Sequence, residues 1–372
     1  MHTRLTKTLG IEHPILCAGM GFVAVPRLVA AVSEAGGLGL LATAVLGPDE
    51  VRDSVREIRK RTDAPFGANI TLEFETAEDN ARVLIEERVP VVNLSLGIRP
   101  WIIDAVHAYG GKVLCTVTNA RHALSAERKG ADGLIVTGHE AAGHGGDATS
   151  LVVVPLIARA VGIPIVAAGG FGDGHGLAAA LALGAEGISM GTRFAMSAES
   201  PMHDRVKDFA LGLSELDTIY TDKIDGAGTR FLRTERVETM DRTLSPLEAL
   251  RSVSKVKKAL RLTWGEVLAA AIKGGPDIRR SLGQAQIAGN TFEGLTGGDY
   301  EQGIVPGGQV VGAITAIEDC AKIVRQTVTE AERILRERAK SIEDDASPVT
   351  TLPRIDAAEP SSTARAAQGV HR

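Results

Sequence analysis

The stretch "IPIVAAGGFGDGHGLAAALALGAEGISMGTRF", residues 163–194, decides the fold. An apolar run ending in paired glycines (163–170) leads into a segment with helical spacing (176–187), and a second apolar run follows (187–194). Strand, helix and strand in this order make one βα unit with its crossover. The same rhythm extends towards the N-terminus, through "PILCAGM" (14–20), "LGLLAT" (38–43), "FGANITL" (66–72), "VVNLSL" (91–96), "KVLCTV" (112–117) and "GLIVTG" (133–138). These runs are nearly continuous in apolar residues rather than alternating, as in parallel strands covered on both faces. Helical segments such as "PRLVAAVSEAG" (26–36) lie between them and end at glycines. Eight strands predict an α/β fold, a closed (β/α)8 TIM barrel, with a doubly wound open sheet as the alternative. The barrel is preferred because residues suited to chemistry follow strands 1, 3, 6, 7 and 8. Those ends converge on one mouth in a barrel and spread along an edge in an open sheet.

Beyond Phe209 the pattern changes. Residues 1–209 are assigned to the barrel and 210–300 to a smaller helical lid or insertion. Residues 301–340 form a helical segment returning to the barrel, and 341–372 a disordered tail rich in Ser, Pro, Ala and charge. Within the insertion, "TDKIDGAGTRFLRTERVETM" lacks clean periodicity, 244–275 reads as helices, and the basic stretch 251–262 reads as a solvated helix face.

The 372-residue chain is 44% hydrophobic and 23% charged, enough apolar material for a sizeable core. Its net charge of −5 gives no electrostatic reason to expect nucleic acid or acidic membranes as partners, so a small-molecule substrate is expected. Cys17, Cys115 and Cys320 form no CxxC pair, which fits a reducing, cytoplasmic location. Glu12, His13 and Pro14 interrupt the apolar N-terminal stretch, so no signal peptide is predicted. No apolar run reaches the roughly 20 residues of a membrane span.

"GHEAAGHGG" (138–146) invites comparison with the zinc motif H-E-x-x-H but is one residue too long. On a helix, residues four apart lie roughly 40° apart around the axis and residues five apart roughly 140°. His139 and His144 would therefore diverge, and no other cluster supplies ligands, so no metal is expected. As a loop leaving a buried strand, the segment suits catalysis better. Gly143, Gly145 and Gly146 permit close backbone approach, and His144 can take or hold a proton near neutral pH.

A second constellation follows strands 7 and 8. Backbone amides of Gly169, Gly170, Gly191 and Thr192 can surround a phosphate at the place where barrels bind one. Its owner is either a phosphosugar or a flavin mononucleotide. Gly19, Met20 and Gly21 let backbone lie against a flat ring, and Asn69 offers both a donor and an acceptor to ring heteroatoms. The mouth lacks the Lys and Glu arrangement of sugar isomerisation or Schiff-base chemistry. These features favour the flavin.

Taken together, "HPILCAGM", "AAVSEAGGLGLL", "PFGANITL", "GHEAAGHGG", the 163–194 stretch and "GGQVVG" resemble the nitronate monooxygenase family, close over residues 10–205 and looser over 297–335. The superfamily also holds FMN-dependent enoyl-acyl-carrier-protein reductases and NADH:quinone reductases. The resemblance implies a (β/α)8 barrel binding FMN non-covalently under a smaller helical domain. It implies His144 as the catalytic histidine, Gly169, Gly170, Gly191 and Thr192 at the phosphate, and Met20, Asn69 and Gln309 near the flavin ring. Glu140 and Gly143 belong to the loop signature, His139 falls at a variable position, and His175 stands where many members have arginine. The implied activity is flavin-dependent oxidation of alkyl nitronates with O2. The alternative is an NAD(P)H-dependent reductase of an enoyl thioester or quinone, to which "GMGFV" after strand 1 is closer. A different class, a phosphate-binding barrel isomerase or a non-catalytic flavin-binding protein, is kept beside these. The inosine-phosphate dehydrogenases fall away, because neither Cys17 nor Cys115 sits in the loop their nucleophile needs.

Overall fold

The computed structural model describes residues 1–224, 227–241 and 289–343. Eight parallel strands close into a barrel in sequence order, each paired with the next and β8 with β1. They are β1 (Ile15–Cys17), β2 (Leu38–Ala42), β3 (Gly67–Thr71), β4 (Val91–Ser95), β5 (Lys112–Val117), β6 (Gly133–Thr137), β7 (Ile165–Ala168) and β8 (Ile188–Met190). Each falls inside one of the eight apolar runs read from the sequence. The helices between them are α2 (Pro26–Glu34), α3 (Pro48–Arg61), α4 (Ala77–Glu86), α5 (Pro100–Ala108), α6 (Ala120–Arg128), α7 (Ser150–Ala160) and α8 (Gly174–Ala182), after an N-terminal α1 (Arg4–Leu9). Three of them start on a proline, where the missing N–H costs nothing and φ is already helical. Gly39 is required where α2 presses on β2, since a Cβ there would lie 2.3 Å from the Val29 carbonyl oxygen.

Two apolar layers follow from the alternation of side chains along the strands. The larger lies between the strands and the outer helices. The smaller fills the barrel interior with Leu16, Leu38, Leu40, Val91, Leu114, Ile135, Val166 and Ala168, joined by Leu5, Leu9 and Ile11. Helix α1 thus plugs the N-terminal end of the barrel. Burial on both faces explains why the strands read as unbroken apolar runs.

The ring of outer helices is not finished within residues 1–209. After β8 come short helices α9 (Thr192–Ala195) and α10 (Asp204–Leu211). The eighth outer position is taken by α12 (Cys320–Glu343), which packs against both α8 and α2. Residues 341–343, read as the start of a tail, complete this helix; the rest of that tail lies outside the described residues.

Of the 210–300 segment, read as a smaller helical lid or insertion, residues 210–224, 227–241 and 289–300 are described. It opens with an antiparallel hairpin, β9 (Thr218–Thr221) and β10 (Thr229–Leu232), followed by α11 (Glu235–Asp241) and, later, a helical stretch over 289–295. Four-residue strands are too short to show a period of two, which is why this region gave no pattern. Phe231, Val237 and Ile304 give the hairpin a small core of its own. The helices read over 244–275 and the basic stretch 251–262 lie outside the described residues.

Leu5 is fully buried in the barrel plug. Leu5→Ala is expected to cost about 2–5 kcal/mol of unfolding free energy by leaving a cavity there, measured by urea denaturation.

Candidate active site

Along β3, β4 and β5 the inward positions change from apolar to polar towards the C-terminal end: Gly67 to Asn69 and Thr71, Val91 to Asn93 and Ser95, Leu114 to Thr116. These side chains hydrogen-bond across the strands. Asn93 Nδ2 donates to Asn69 Oδ1 (2.6 Å) and Thr116 Oγ1 (3.1 Å), and Asn69 Nδ2 donates to Thr71 Oγ1 (3.3 Å). Asn69 and Asn93 are both buried. The mouth therefore has a floor of paired polar groups above an apolar plug. Asn69 was singled out from the sequence and Asn93 was not. The signal was present, because "ANIT" and "VNLS" place asparagine at matching register with a polar residue two positions on.

Gly19, Met20 and Gly21 form the loop after β1. A Cβ on Gly19 would lie 2.4 Å from Asn69 Cβ, so glycine is what lets this loop lie over β3. Met20 reaches towards β8: a Cβ on Gly191 would sit 3.6 Å from Met20 Sδ, with Ala18 Cβ next at 4.0 Å. The β1, β3 and β8 ends are thus brought together.

The loops after β7 and β8 are neighbours because those strands pair. Gly169 and Gly170 are both left-handed, with φ of 94° and 81°, a conformation glycine adopts without penalty. Among the described residues, the N–H groups of Gly169, Gly170, Gly191 and Thr192 find no protein acceptor. Unspent donors beside one another at a helix start suit an anion. Thr192 turns its hydroxyl the other way and accepts from Gly308 N at 2.9 Å. Gln309, at the start of a 3-10 helix (Gln309–Ala313), donates its N–H to the Glu140 carbonyl (3.0 Å). The late glutamine therefore reaches the β6 loop through its backbone. A cavity of about 520 Å³ opens beside these loops, lined in part by Glu140, Gly169, Gly170 and Gln309.

Within the β6 loop, His144 is exposed and follows Gly143, which has φ of 73°. The Glu140 carboxylate points to the start of α7, accepting from Ser150 N (3.0 Å) and Ser150 Oγ (3.0 Å). It caps α7 in place of Thr149, the residue before the helix, which makes no side-chain cap bond. The sequence reading missed what lies over this loop. Tyr220 and Arg230, both on the hairpin, contact it: the Tyr220 hydroxyl donates to the Gly145 carbonyl (3.1 Å), and Arg230 Nη2 donates to the His139 carbonyl (2.9 Å). Burial lowers the pKa of Arg230 and raises that of Tyr220. Nothing in "TIYT" or "TRFL" announces either contact.

His175 lies on the outer face of α8, exposed and facing Glu330. Asp173, His175 and Glu330 bring donor atoms within 4.8 Å of one another. Both carboxylates already accept N–H groups of α8, Asp173 from Gly176 (2.8 Å) and Glu330 from Gly174 (3.1 Å).

A family model described as nitronate monooxygenase matches residues 2–330. The chain belongs to the nitronate monooxygenase family. It is therefore an enzyme of a group of flavin-dependent oxidoreductases. A (3aS,4S,5R,7aS)-5-hydroxy-7a-methyl-1-oxo-octahydro-1H-indene-4-carboxyl-CoA dehydrogenase of Mycobacterium tuberculosis is 36% identical over 341 residues, covering 89% of this chain and 96% of that protein. A probable nitronate monooxygenase of Staphylococcus aureus is 29% identical over 283 residues, covering 64% of this chain and 80% of that one. Among solved structures, FabK from Thermotoga maritima superposes with a TM-score of 0.77 at 35% identity, covering 92% of this chain and all of that one. A nitroalkane oxidase from Streptomyces ansochromogenes gives 0.71 at 25%, with 90% and 100% covered. No helix among the described residues is long and apolar enough to cross a membrane.

Asn93→Leu would leave Asn69 Oδ1 without its partner in a buried place. The expected loss is about 1–3 kcal/mol of stability, checked by thermal or urea unfolding beside the parent protein.

Proposed function

We propose that the chain binds FMN at the barrel mouth and interconverts a saturated and an α,β-unsaturated acyl-CoA thioester, with NAD(P)H as the second redox partner. The observation that carries this is the reach of the likeness to the carboxyl-CoA dehydrogenase. Coverage of 89% of this chain leaves too few residues over for the whole 210–300 segment to fall outside it. The likeness thus extends past residue 209, into the 210–300 segment. The rim supports an acyl substrate: Phe22, after β1, meets Phe292 edge to face at 5.5 Å, and Phe292 is 51% exposed.

The unspent amides of Gly169, Gly170, Gly191 and Thr192 would hold the FMN phosphate, and Met20, Asn69 and Gln309 would lie nearest the ring system. A bound flavin supplies two-electron acceptance and donation. The chain supplies the proton chemistry and the positioning. A thioester carbonyl acidifies its α-carbon, and His144 removes that proton as the double bond forms and returns it in the opposite direction. The polar floor around Asn69 and Asn93 keeps its hydrogen bonds internal, which holds Asn69 in one orientation.

A second reading, oxidation of an alkyl nitronate with O2, is favoured by the match of the nitronate monooxygenase model over residues 2–330. There His144 would hydrogen-bond the anionic substrate or take the α-proton of the neutral nitroalkane.

An anaerobic visible spectrum separates the two. NADPH is expected to bleach the oxidised flavin band and crotonyl-CoA to restore it. Bleaching by propane-2-nitronate alone, with no response to the CoA ester, would establish the second reading instead. A protein with no flavin band after incubation with FMN would sink both. His144→Ala is expected to cut turnover by about 10²–10⁴-fold with FMN still bound; unchanged turnover removes His144 from the chemistry. Gly191→Asp sets a carboxylate beside the phosphate and is expected to weaken FMN binding by about tenfold or more, or ~1.4 kcal/mol. Fluorescence titration with FMN reads this, with circular dichroism confirming the fold.

A further inference from the structure

We propose that Tyr220 and Arg230 are positioning residues that hold His144 in its working place, so that the β9–β10 hairpin is part of the catalytic apparatus and not only a cover. This rests on the assignment of proton transfer to His144 under the proposed function.

His144 sits in a run of glycines, Gly143 before it and Gly145 and Gly146 after. Such a backbone has more conformational freedom than any other, whereas a proton-transferring group must be held close to one geometry to be efficient. Within the loop, the Gly145 N–H turns back to the Gly143 carbonyl across His144 (2.9 Å) and the His139 N–H to the Ala148 carbonyl (2.9 Å); the hairpin adds restraint from outside. On one side of His144, Gly143 pairs with Arg230 in an antiparallel bridge. On the other, the Gly145 carbonyl accepts the Tyr220 hydroxyl at 3.1 Å. The residues immediately before and after His144 are thus tied to two different strands of one hairpin.

The guanidinium of Arg230 fixes the base of the loop. It is 5% exposed, with Nη2 and Nε donating to the His139 carbonyl (2.9 and 3.3 Å) and Nη1 to Thr218 Oγ1 (3.0 Å). It lies 5.4 Å from the centre of the Tyr220 ring. That ring packs 4.4 Å from the ring of His139, whose Nδ1 lies 3.2 Å from the Gly146 carbonyl oxygen. Burying a cation on neutral acceptors is expensive. These contacts tie together both ends of the glycine run, the His139 turn and the two strands of the hairpin. On the far side, β10 is joined to the segment that presents Gln309, through Leu232 N to the Val305 carbonyl (2.8 Å) and a bridge between Phe231 and Pro306. That segment is itself held to the β8 end, where Gly308 N donates to Thr192 Oγ1, and to the β6 loop through Gln309 N.

The two roles, cover and positioning, are separated by a double-mutant cycle. Tyr220→Phe keeps the ring against His139 and Arg230 and removes only the hydroxyl bond to Gly145. Arg230→Lys keeps the charge and loses the fork on the His139 carbonyl. Each is made in the parent and in the His144→Ala background. Turnover is measured per bound flavin with crotonyl-CoA and NADPH or with propane-2-nitronate, whichever the protein uses. The expected result is a loss of about ten- to a hundredfold in kcat for each single variant, with KM and flavin content unchanged. In the His144→Ala background neither substitution has any further effect, because residues acting through one group are not additive. Equal losses in both backgrounds would overturn the proposal, assigning the hairpin a role independent of His144. So would unchanged turnover in both single variants while His144→Ala is impaired. Full activity in His144→Ala alone would overturn the assignment of His144 and the positioning role with it.

Discussion

One buried guanidinium organises the mouth of this barrel. Arg230 is placed by an antiparallel hairpin far along the chain from the loop it contacts, and it spends its donors on a backbone carbonyl and a hydroxyl. A surface arginine would lose little by letting go. A buried one has no water to turn to, so its contacts persist and the loop persists with them. The β6 loop is rich in glycine and able to approach a ligand closely, and the hairpin adds outside contacts to the bonds the loop makes within itself. Glu140 adds a second fixed point by taking the first free N–H of α7.

The barrel beneath is divided by polarity along its axis. At the N-terminal end, inward side chains are Leu, Val and Ile, closed off by α1; at the C-terminal end they are Asn, Thr and Ser, paired with one another. The division reconciles stability with function. Apolar packing resists relaxation and sets a rigid frame, while the mouth can accommodate a polar ring without leaving protein groups unsatisfied. The β7 and β8 ends leave four N–H groups unspent beside that floor, so the donors and the floor face one opening. A likeness in fold to both FabK and a nitroalkane oxidase fits such a frame, since the fold itself does not choose the reaction.

The strands were legible because each is buried on both faces and long enough to stand out as an apolar run. So were the glycines after β7 and β8, and the β6 loop, whose composition makes no sense as a core element. The hairpin was not legible. "TIYT" and "TRFL" are too short to display alternation, and the two strands pair with each other. Tyr220 and Arg230 were missed for the same reason: their significance lies in contacts with residues 75 and 91 positions away. Asn93 is an intermediate case. It was visible as an odd residue in an apolar strand and became meaningful only once its register with Asn69 was known.

The eighth outer helix also has a bearing on how the molecule comes into being. All eight strands are encoded by residue 190, yet α12, which closes the ring between α8 and α2, begins at Cys320. A chain emerging from the ribosome has a complete set of strands long before it has the means to cover the seam between the first and last of them. During that interval the apolar flanks of α2 and α8 face water or whatever binds them, the kind of exposure that invites association between nascent chains. Contacts of such long sequence separation also slow the final step. The barrel and the chain between β8 and α12 are consequently a single folding problem: residues 191–319 must be made before the ring can shut.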